Sequence, residues 1–246
     1  MNQTIEIIKN HRSIRSYLDK DIPDAVLTTI IEAAQAMPTS INGQQVSLVI
    51  VRDKDLRKKL AELCGGQPWV AQAPVFVIFV ADFYKTSLAA KLNDREQVIH
   101  ESAEGNLVGI FDCGIALGGM MVAAESLGLG IVPIGGIRLH AQEVIELLGL
   151  PEYTFPVNGM CLGYPADNSK LKPRLPLATY AHYEKYNPAV LEENIRAYDK
   201  TMAEYLAGIN RSEEVNWSSR TSSIYQQVYF PNVKPTMTTQ GFLLDK

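Results

Sequence analysis

His11-Arg12-Ser13-Ile14-Arg15 places one imidazole, one hydroxyl and two guanidinium groups on five consecutive residues. Arginines three residues apart are expected to stack on one side of a helical turn. Backbone amides at a helix start favour an anion. Guanidinium groups add a planar fork of donors that matches phosphate oxygens in pairs. The natural guest is a phosphate monoester, which carries about two negative charges. Taken alone such a pentapeptide is usually a solvated helix face, so the case depends on partners supplied by distant stretches.

Bulk properties restrict what those partners can be. The 246-residue chain could form one large domain or two small ones, and 46% hydrophobic residues are enough for a proper core. A net charge of −4 with no basic excess argues against nucleic acid or an anionic membrane as a partner. Any anion site must then be a local cluster on an acidic chain. Cys64, Cys113 and Cys161 are far apart and lack a C-x-x-C pattern, which disfavours a disulfide framework and a metal site. They read as small hydrophobes in a reducing compartment. Residues 1–9 lack a basic region followed by an apolar core, so no signal peptide is expected and a cytoplasmic location is.

Around the pentapeptide, Thr4–Lys9 reads as a short helix and Tyr17–Pro23 as a polar connection. A helix is expected from Asp24 to about Ala36, with Val26, Leu27, Ile30, Ile31 and Ala34 on one face and Pro38 ending it. The loop Pro38-Thr39-Ser40-Ile41-Asn42-Gly43-Gln44 follows. Asn42 and Gln44 both donate and accept, so this loop can read the edge of a heterocycle; an ordinary helix-to-strand turn has the same composition. Val46–Val51 is a β-branched strand. Asp53–Cys64 is a helix stopped at Gly65-Gly66. Gln67-Pro68-Trp69 reads as loop, and Val75–Ala81 as a strand buried on both faces.

The longest helical pattern runs from about Asn93 to Leu127. Leu107–Ala124 is apolar enough to raise a membrane span, but Asp112 within it and Glu104 and Glu125 at its ends favour a core helix. Gly105, Gly109 and Cys113, and again Gly114 and Gly118, are spaced so that another helix can approach closely, from the same chain or a second subunit. A strand over Leu129–Ile134 leads into Gly135-Gly136, where bare backbone lets a ligand reach main-chain amides. A short helix spans Gln142–Leu148, and a strand spans Val157–Leu162, entered through Pro156. In Lys172-Pro173-Arg174-Leu175-Pro176, each proline biases the residue before it to extended geometry. Lys172 and Arg174 therefore face the same way as a cationic pair. From about Tyr180 the composition turns polar and aromatic. Leu191–Leu206 reads as helix, Asn210–Ser223 as loop, and the last twenty residues show no strong period. The division expected is a core over residues 1–180 and an extension over 181–246 that packs as an arm of the same domain on the core or a partner subunit.

In this order, the His-Arg-Ser-Ile-Arg run, the Ser/Asn/Gln loop, Gly-Gly-Gln at 65–67, Ala-Glu-Ser-Leu-Gly-Leu-Gly at 124–130, Ile-Gly-Gly at 134–136 and Lys-Pro-Arg-Leu-Pro at 172–176 together resemble the FMN-dependent nitroreductase family, and within it the group A branch of NADPH nitroreductases and NADPH–FMN oxidoreductases. The likeness spans about Thr4 to Asn187 and continues weakly through Trp217. It implies an α+β fold, a three-layer α-β-α sandwich, in an intertwined homodimer with FMN at the interface. By the same resemblance the FMN phosphate is held by His11, Arg12, Lys172 and Arg174, with Ser13 completing that end and Arg15 nearer the ribityl chain or ring. Ser40, Asn42 and Gln67 address the ring edge and ribityl hydroxyls, and Ile134, Gly135 and Gly136 approach the ring. No catalytic side chain is implied, because the flavin carries the redox chemistry.

The implied reaction is ping-pong: hydride passes from NADPH to flavin, and then to a nitroaromatic, quinone, azo compound or free flavin. In group A the C-terminal arm grips the NADPH 2′-phosphate with basic residues. This chain offers Arg211 and Arg220 there, beside Glu213 and Glu214, a set compatible with NADH as well. Pro38, Ile41 and Pro133 depart from the group A pattern and bear on acceptor preference. Two alternatives accompany this reading: a flavin reductase that supplies reduced FMN, and a non-enzymatic phosphate- or nucleotide-binding regulatory module.

Overall fold

The computed structural model describes residues 2–167 and 169–243. In chain order its elements are α1 (Gln3–Lys9), α2 (Asp24–Gln35), β1 (Val46–Val51), α3 (Lys54–Leu63), α4 (Pro68–Gln72), β2 (Val75–Asp82), α5 (Phe83–Lys91), α6 (Ala103–Ser126), β3 (Gly130–Ile134), α7 (Ala141–Leu148), β4 (Thr154–Gly163), α8 (Leu191–Ala207), α9 (Trp217–Tyr225) and α10 (Val233–Thr239).

The four strands form one antiparallel sheet in the order β1-β2-β4-β3. β2 is buried along nearly its whole length, and because strand side chains alternate between faces it feeds two cores. Val75, Val77, Phe79 and Ala81 join Leu27 and Ile30 of α2 and Cys113, Ala116 and Met120 of α6. Phe76, Ile78 and Val80 join Leu60 of α3 and Val144 of α7. The result is the expected three-layer sandwich. Gly159 of β4 is required by this packing, since a Cβ there would lie 2.4 Å from Phe76 Cζ.

The long helix is shorter than the apolar pattern suggested. It starts at Ala103, after a 3-10 turn over Ile99–Glu101, with Ser102 accepting from Gly105 N at 3.0 Å as its cap. Its two small-residue rows part company. A Cβ at Gly109 would sit 2.9 Å from Phe83 Cε2 and 3.3 Å from Ala81 Cβ, so this row seats α6 on its own chain. Among the described residues, a Cβ at Gly114 or Gly118 would meet nothing within 4 Å. α6 is long and apolar enough to cross a membrane, but it buries Asp112 and packs against the sheet as a core helix.

Several short elements differ from the sequence reading. Gln67-Pro68-Trp69 leads into α4 rather than loop, because proline at the first helical position fits without loss. α5 is an additional helix; Asp82 caps it by accepting from Lys85 N at 3.0 Å. α9 occupies part of the stretch read as loop, capped by Asn216 accepting from Ser219 N at 3.0 Å. α10 lies in the stretch read as aperiodic. Pro156 sits inside β4, and the pairing with β2 shifts register opposite it, at Phe79/Val80.

Residues up to Ser169 and those from Phe230 onward form one compact unit, and Lys170–Tyr229 form another. In the first, the returning chain docks Phe242 against Phe83 and Phe155, and Tyr153 N donates to Gln240 O at 2.9 Å. In the second, Tyr198, Met202 and Leu206 of α8 gather Leu175, Ile209 and Trp217.

Cys64, Cys113 and Cys161 are unpaired and buried. Burial pushes the Cys64 thiol up to about 12 and raises the other two as well. Because the thiolate is the nucleophile, native protein is expected to resist iodoacetamide at pH 8 while unfolded protein takes up three equivalents. Mass spectrometry of the two samples checks this.

Candidate functional site

The pentapeptide is extended, which corrects the helical-turn expectation. α1 ends at Lys9. Ser13 then pairs in parallel with Ile131 of β3, and Ile14 N donates to Ile131 O at 2.9 Å. The edge of β3 offers unpaired backbone groups, and satisfying them outweighs another helical turn. Successive side chains alternate in extended backbone, so Arg12 and Arg15 do not stack. Ile14 locks the run by packing where Gly130 has no side chain; a Cβ there would lie 2.7 Å from Ile14 Cγ1. Tyr17 OH donates to Ile14 O at 2.7 Å, and burial raises that phenol's pKa.

β3 runs on into a 3-10 turn over Gly135–Arg138. Ile134 is buried at its head, and Arg138 Nη1 donates to Val157 O at 2.5 Å on the neighbouring strand. Gly136 faces a tight wall: a Cβ would lie 2.5 Å from both Cys64 O and Gln67 Nε2. Gln67 Nε2 donates to Cys64 O at 2.8 Å, and Trp69 Nε1 donates to Gln67 Oε1 at 3.1 Å. The Arg15 guanidinium lies 5.6 Å from the centre of the Trp69 ring. One chain therefore brings together Ser13, Arg15, Gln67, Ile134, Gly135 and Gly136, with Trp69 as the contact that sequence reasoning missed. His11, at the start of the run, sits with Nδ1 2.6 Å from Glu125 Oε1 on the last turn of α6.

The loop carrying Ser40 and Asn42 lies elsewhere. It forms a 3-10 turn over Ser40–Asn42, with Ile41, Asn42 and Gln44 at φ of 50°, 56° and 53°, a region that L residues seldom occupy. Asp112 of α6 holds it: Asp112 Oδ2 accepts from Ser40 N at 3.1 Å and from Gln45 Nε2 at 2.5 Å. Gln44 and Thr39 line a cavity of about 330 Å³ together with Met37, Ser47, Lys85 and Asp112. Asp112 and Glu125 are thirteen residues apart on α6, about 20 Å along the axis at 1.5 Å per residue. A single chain thus does not bring Ser40 and Asn42 to the His11–Arg15 run.

In the second unit, Lys172 and Arg174 are exposed, Arg174 Nη1 donates to Lys172 O at 3.1 Å, and Tyr198 OH donates to Pro173 O at 2.9 Å. Arg211 Nε donates to Glu214 Oε1 at 2.5 Å, and Arg220 Nη1 lies 3.9 Å from Glu214 Oε2. One carboxylate therefore serves both arginines.

Residues 8–164 match the model of the nitroreductase family, and residues 172–245 match the nitroreductase family C-terminal domain. The chain is 48% identical to the FMN reductase [NAD(P)H] of Bacillus subtilis over the full length of both. It is 38% identical to the NADPH-flavin oxidoreductase of Vibrio harveyi over 98% of each. The solved structure of NfrA2 from B. megaterium superposes with a TM-score of 0.97 at 50% identity, covering all of both chains.

Proposed function

The chain belongs to the nitroreductase family, and from that premise we infer that it is an FMN-dependent NAD(P)H oxidoreductase acting on flat acceptors such as nitroaromatics, quinones, azo compounds or free flavin. The observation that carries the reading is the seating of the extended His11–Arg15 run on β3, whose far end opens into Gly135-Gly136 beside Gln67. The donor set fits the cofactor: cationic and hydroxyl groups at one end suit a phosphate monoester, and a side-chain amide with bare backbone at the other suits a heterocycle edge.

His11, Arg12, Lys172 and Arg174 hold the phosphate, with Ser13 beside them. Arg15 serves the ribityl chain or ring. Gln67 and the backbone of Ile134, Gly135 and Gly136 meet the ring, with Ser40 and Asn42 closing its edge. When bound, FMN supplies the two-electron chemistry that lets NADPH and the acceptor react in turn. The protein holds the ring, excludes wrong partners and places positive charge near the phosphate.

A homodimer completes this site. The outer face of α6 exposes Leu107 (67%) and Phe111 (69%) with Ile110, next to the open Gly114 and Gly118, an apolar stripe that suits a second copy. The 20 Å offset between Asp112 and Glu125 agrees with Ser40 and Asn42 serving the site of the partner subunit. The extension over 181–246 packs on the core or on that partner. Arg211 addresses the 2′-phosphate of NADPH, but Glu214 already offsets its charge, so NADH is also accepted. Three unpaired buried cysteines suit a reducing compartment, and we place the protein in the cytoplasm.

Purified protein is expected to be yellow, to lose its flavin absorbance under NADPH without oxygen, and to regain it on adding a nitroaromatic or quinone. Colourless protein that takes up no FMN would favour the non-enzymatic module. A far higher rate with free FMN than with any other acceptor would select the flavin-reductase variant.

A further inference from the structure

We propose that Glu125 is a positioning residue for the FMN phosphate, acting through His11. The proposal rests on the phosphate role assigned to His11 above, and adds a carboxylate that does not itself touch the ligand.

The pair is built across the fold. Glu125 is on the last turn of α6 and His11 begins the extended run on β3, yet Nδ1 and Oε1 stand 2.6 Å apart with both side chains largely buried, 20% and 12% exposed. An ionised carboxylate only accepts hydrogen bonds, so Nδ1 carries the hydrogen and Nε2 is the nitrogen left to face a ligand. A ring with a single proton would keep it on Nδ1 and turn a lone pair towards the phosphate, which repels it. A ring with both protons donates from Nδ1 to Glu125 and from Nε2 to a phosphate oxygen, bridging two anions.

Glu125 serves His11 in two ways. It fixes the plane of the ring, as carboxylates do for histidines that bind metals or act as bases. It also offsets the positive charge that His11 would otherwise add beside Arg12 and Arg15. Its own location points the same way. A carboxylate in the last turn of a 24-residue helix faces the negative end of the dipole and is disfavoured there, whereas a cation is favoured. Structural economy alone would put a neutral or basic side chain at this position. The 2.6 Å contact with His11 Nδ1 gives the carboxylate a donor partner that offsets this placement.

The test uses Glu125→Gln, which keeps size and an accepting oxygen but removes the charge, together with His11→Gln and the double variant. Dissociation constants for FMN and riboflavin are measured by flavin fluorescence on full-length protein depleted of flavin by dialysis. Glu125→Gln is expected to weaken FMN about tenfold and to leave riboflavin, which lacks the phosphate, within about twofold. In the His11→Gln background the same change is expected to cost nothing further for FMN. Equal weakening of both flavins would make Glu125 a fold-holding residue and overturn the proposal. So would unchanged FMN affinity, or a loss that persists without His11. If wild-type protein binds no FMN, the proposed function itself fails; if it does and only the Glu125 effect is missing, this inference alone fails.

Discussion

Replacing Arg12 and Lys172 together by alanine is expected to yield folded, dimeric protein without flavin. The two residues are 160 positions apart in the chain, and the proposed phosphate role predicts that both act on one affinity. Each charge-assisted hydrogen bond to phosphate contributes about 1.5–3 kcal/mol. Two of them removed from a noncovalent site amount to about 3–6 kcal/mol, or a hundredfold to ten-thousandfold in affinity. Neither residue belongs to a buried apolar cluster, so the fold is expected to stand. The ratio of flavin to protein absorbance after gel filtration reads the loss, and the elution volume reads the oligomeric state. Full flavin retention would show that the phosphate is held elsewhere. The conservative pair, Arg12→Lys with Lys172→Arg, is expected to keep most of the flavin, because charge survives even where the fork geometry changes.

The layers of the fold were readable because burial imposes a period. β1 begins and ends where its β-branched run does, the apolar run of β2 announced a strand covered on both faces, and α2 and α3 matched their apolar stripes within a residue or two. What escaped depends on partners remote in sequence. The spacing of Arg12 and Arg15 suits a helical turn, and nothing local to residues 11–15 reveals that the edge of β3 stands free to pair with Ser13. α9 buries no residue, and α10 carries Pro235 and three threonines around one methionine, so neither announces itself by a long apolar stripe. The family motifs singled out His11, Gln67 and Gly136 as candidates, but the contacts that orient them were silent. Trp69 under Arg15 and Glu125 behind His11 join positions 54 and 114 apart. Asp112 was legible only as a charge that argued against a membrane span; its work on the 38–44 loop needed the packed helix to be seen.

Asp112→Ala is therefore expected to be the most damaging single change near the site, and Asp112→Asn a mild one. Both donors from the loop converge on the same oxygen, Oδ2. Alanine strands both the buried Gln45 amide and the part-buried Ser40 N–H, at about 1–3 kcal/mol for each donor left without a partner. For a chain of this size that lowers the melting temperature by about 2–4 °C per kcal/mol. Asparagine can place its carbonyl oxygen where Oδ2 stands and keep both bonds, losing only the strengthening that the charge provides. The consequence for activity follows from the backbone. Ile41, Asn42 and Gln44 hold left-handed conformations, each of which costs free energy unless its surroundings enforce it. Without the anchor on α6 the loop relaxes to ordinary φ, and Ser40 and Asn42 leave the positions from which they would meet the ring edge. Asp112→Ala is then expected to raise KM for nitroaromatic and quinone acceptors several-fold more than it raises KM for NADPH, while the protein keeps its flavin through the phosphate end. Thermal melting and a steady-state acceptor panel on both variants decide the matter. If alanine and asparagine behave alike, the charge of Asp112 rather than its hydrogen bonds is what the loop requires. If alanine melts with the wild type, the loop is held by other contacts and its strained conformation needs a different cause.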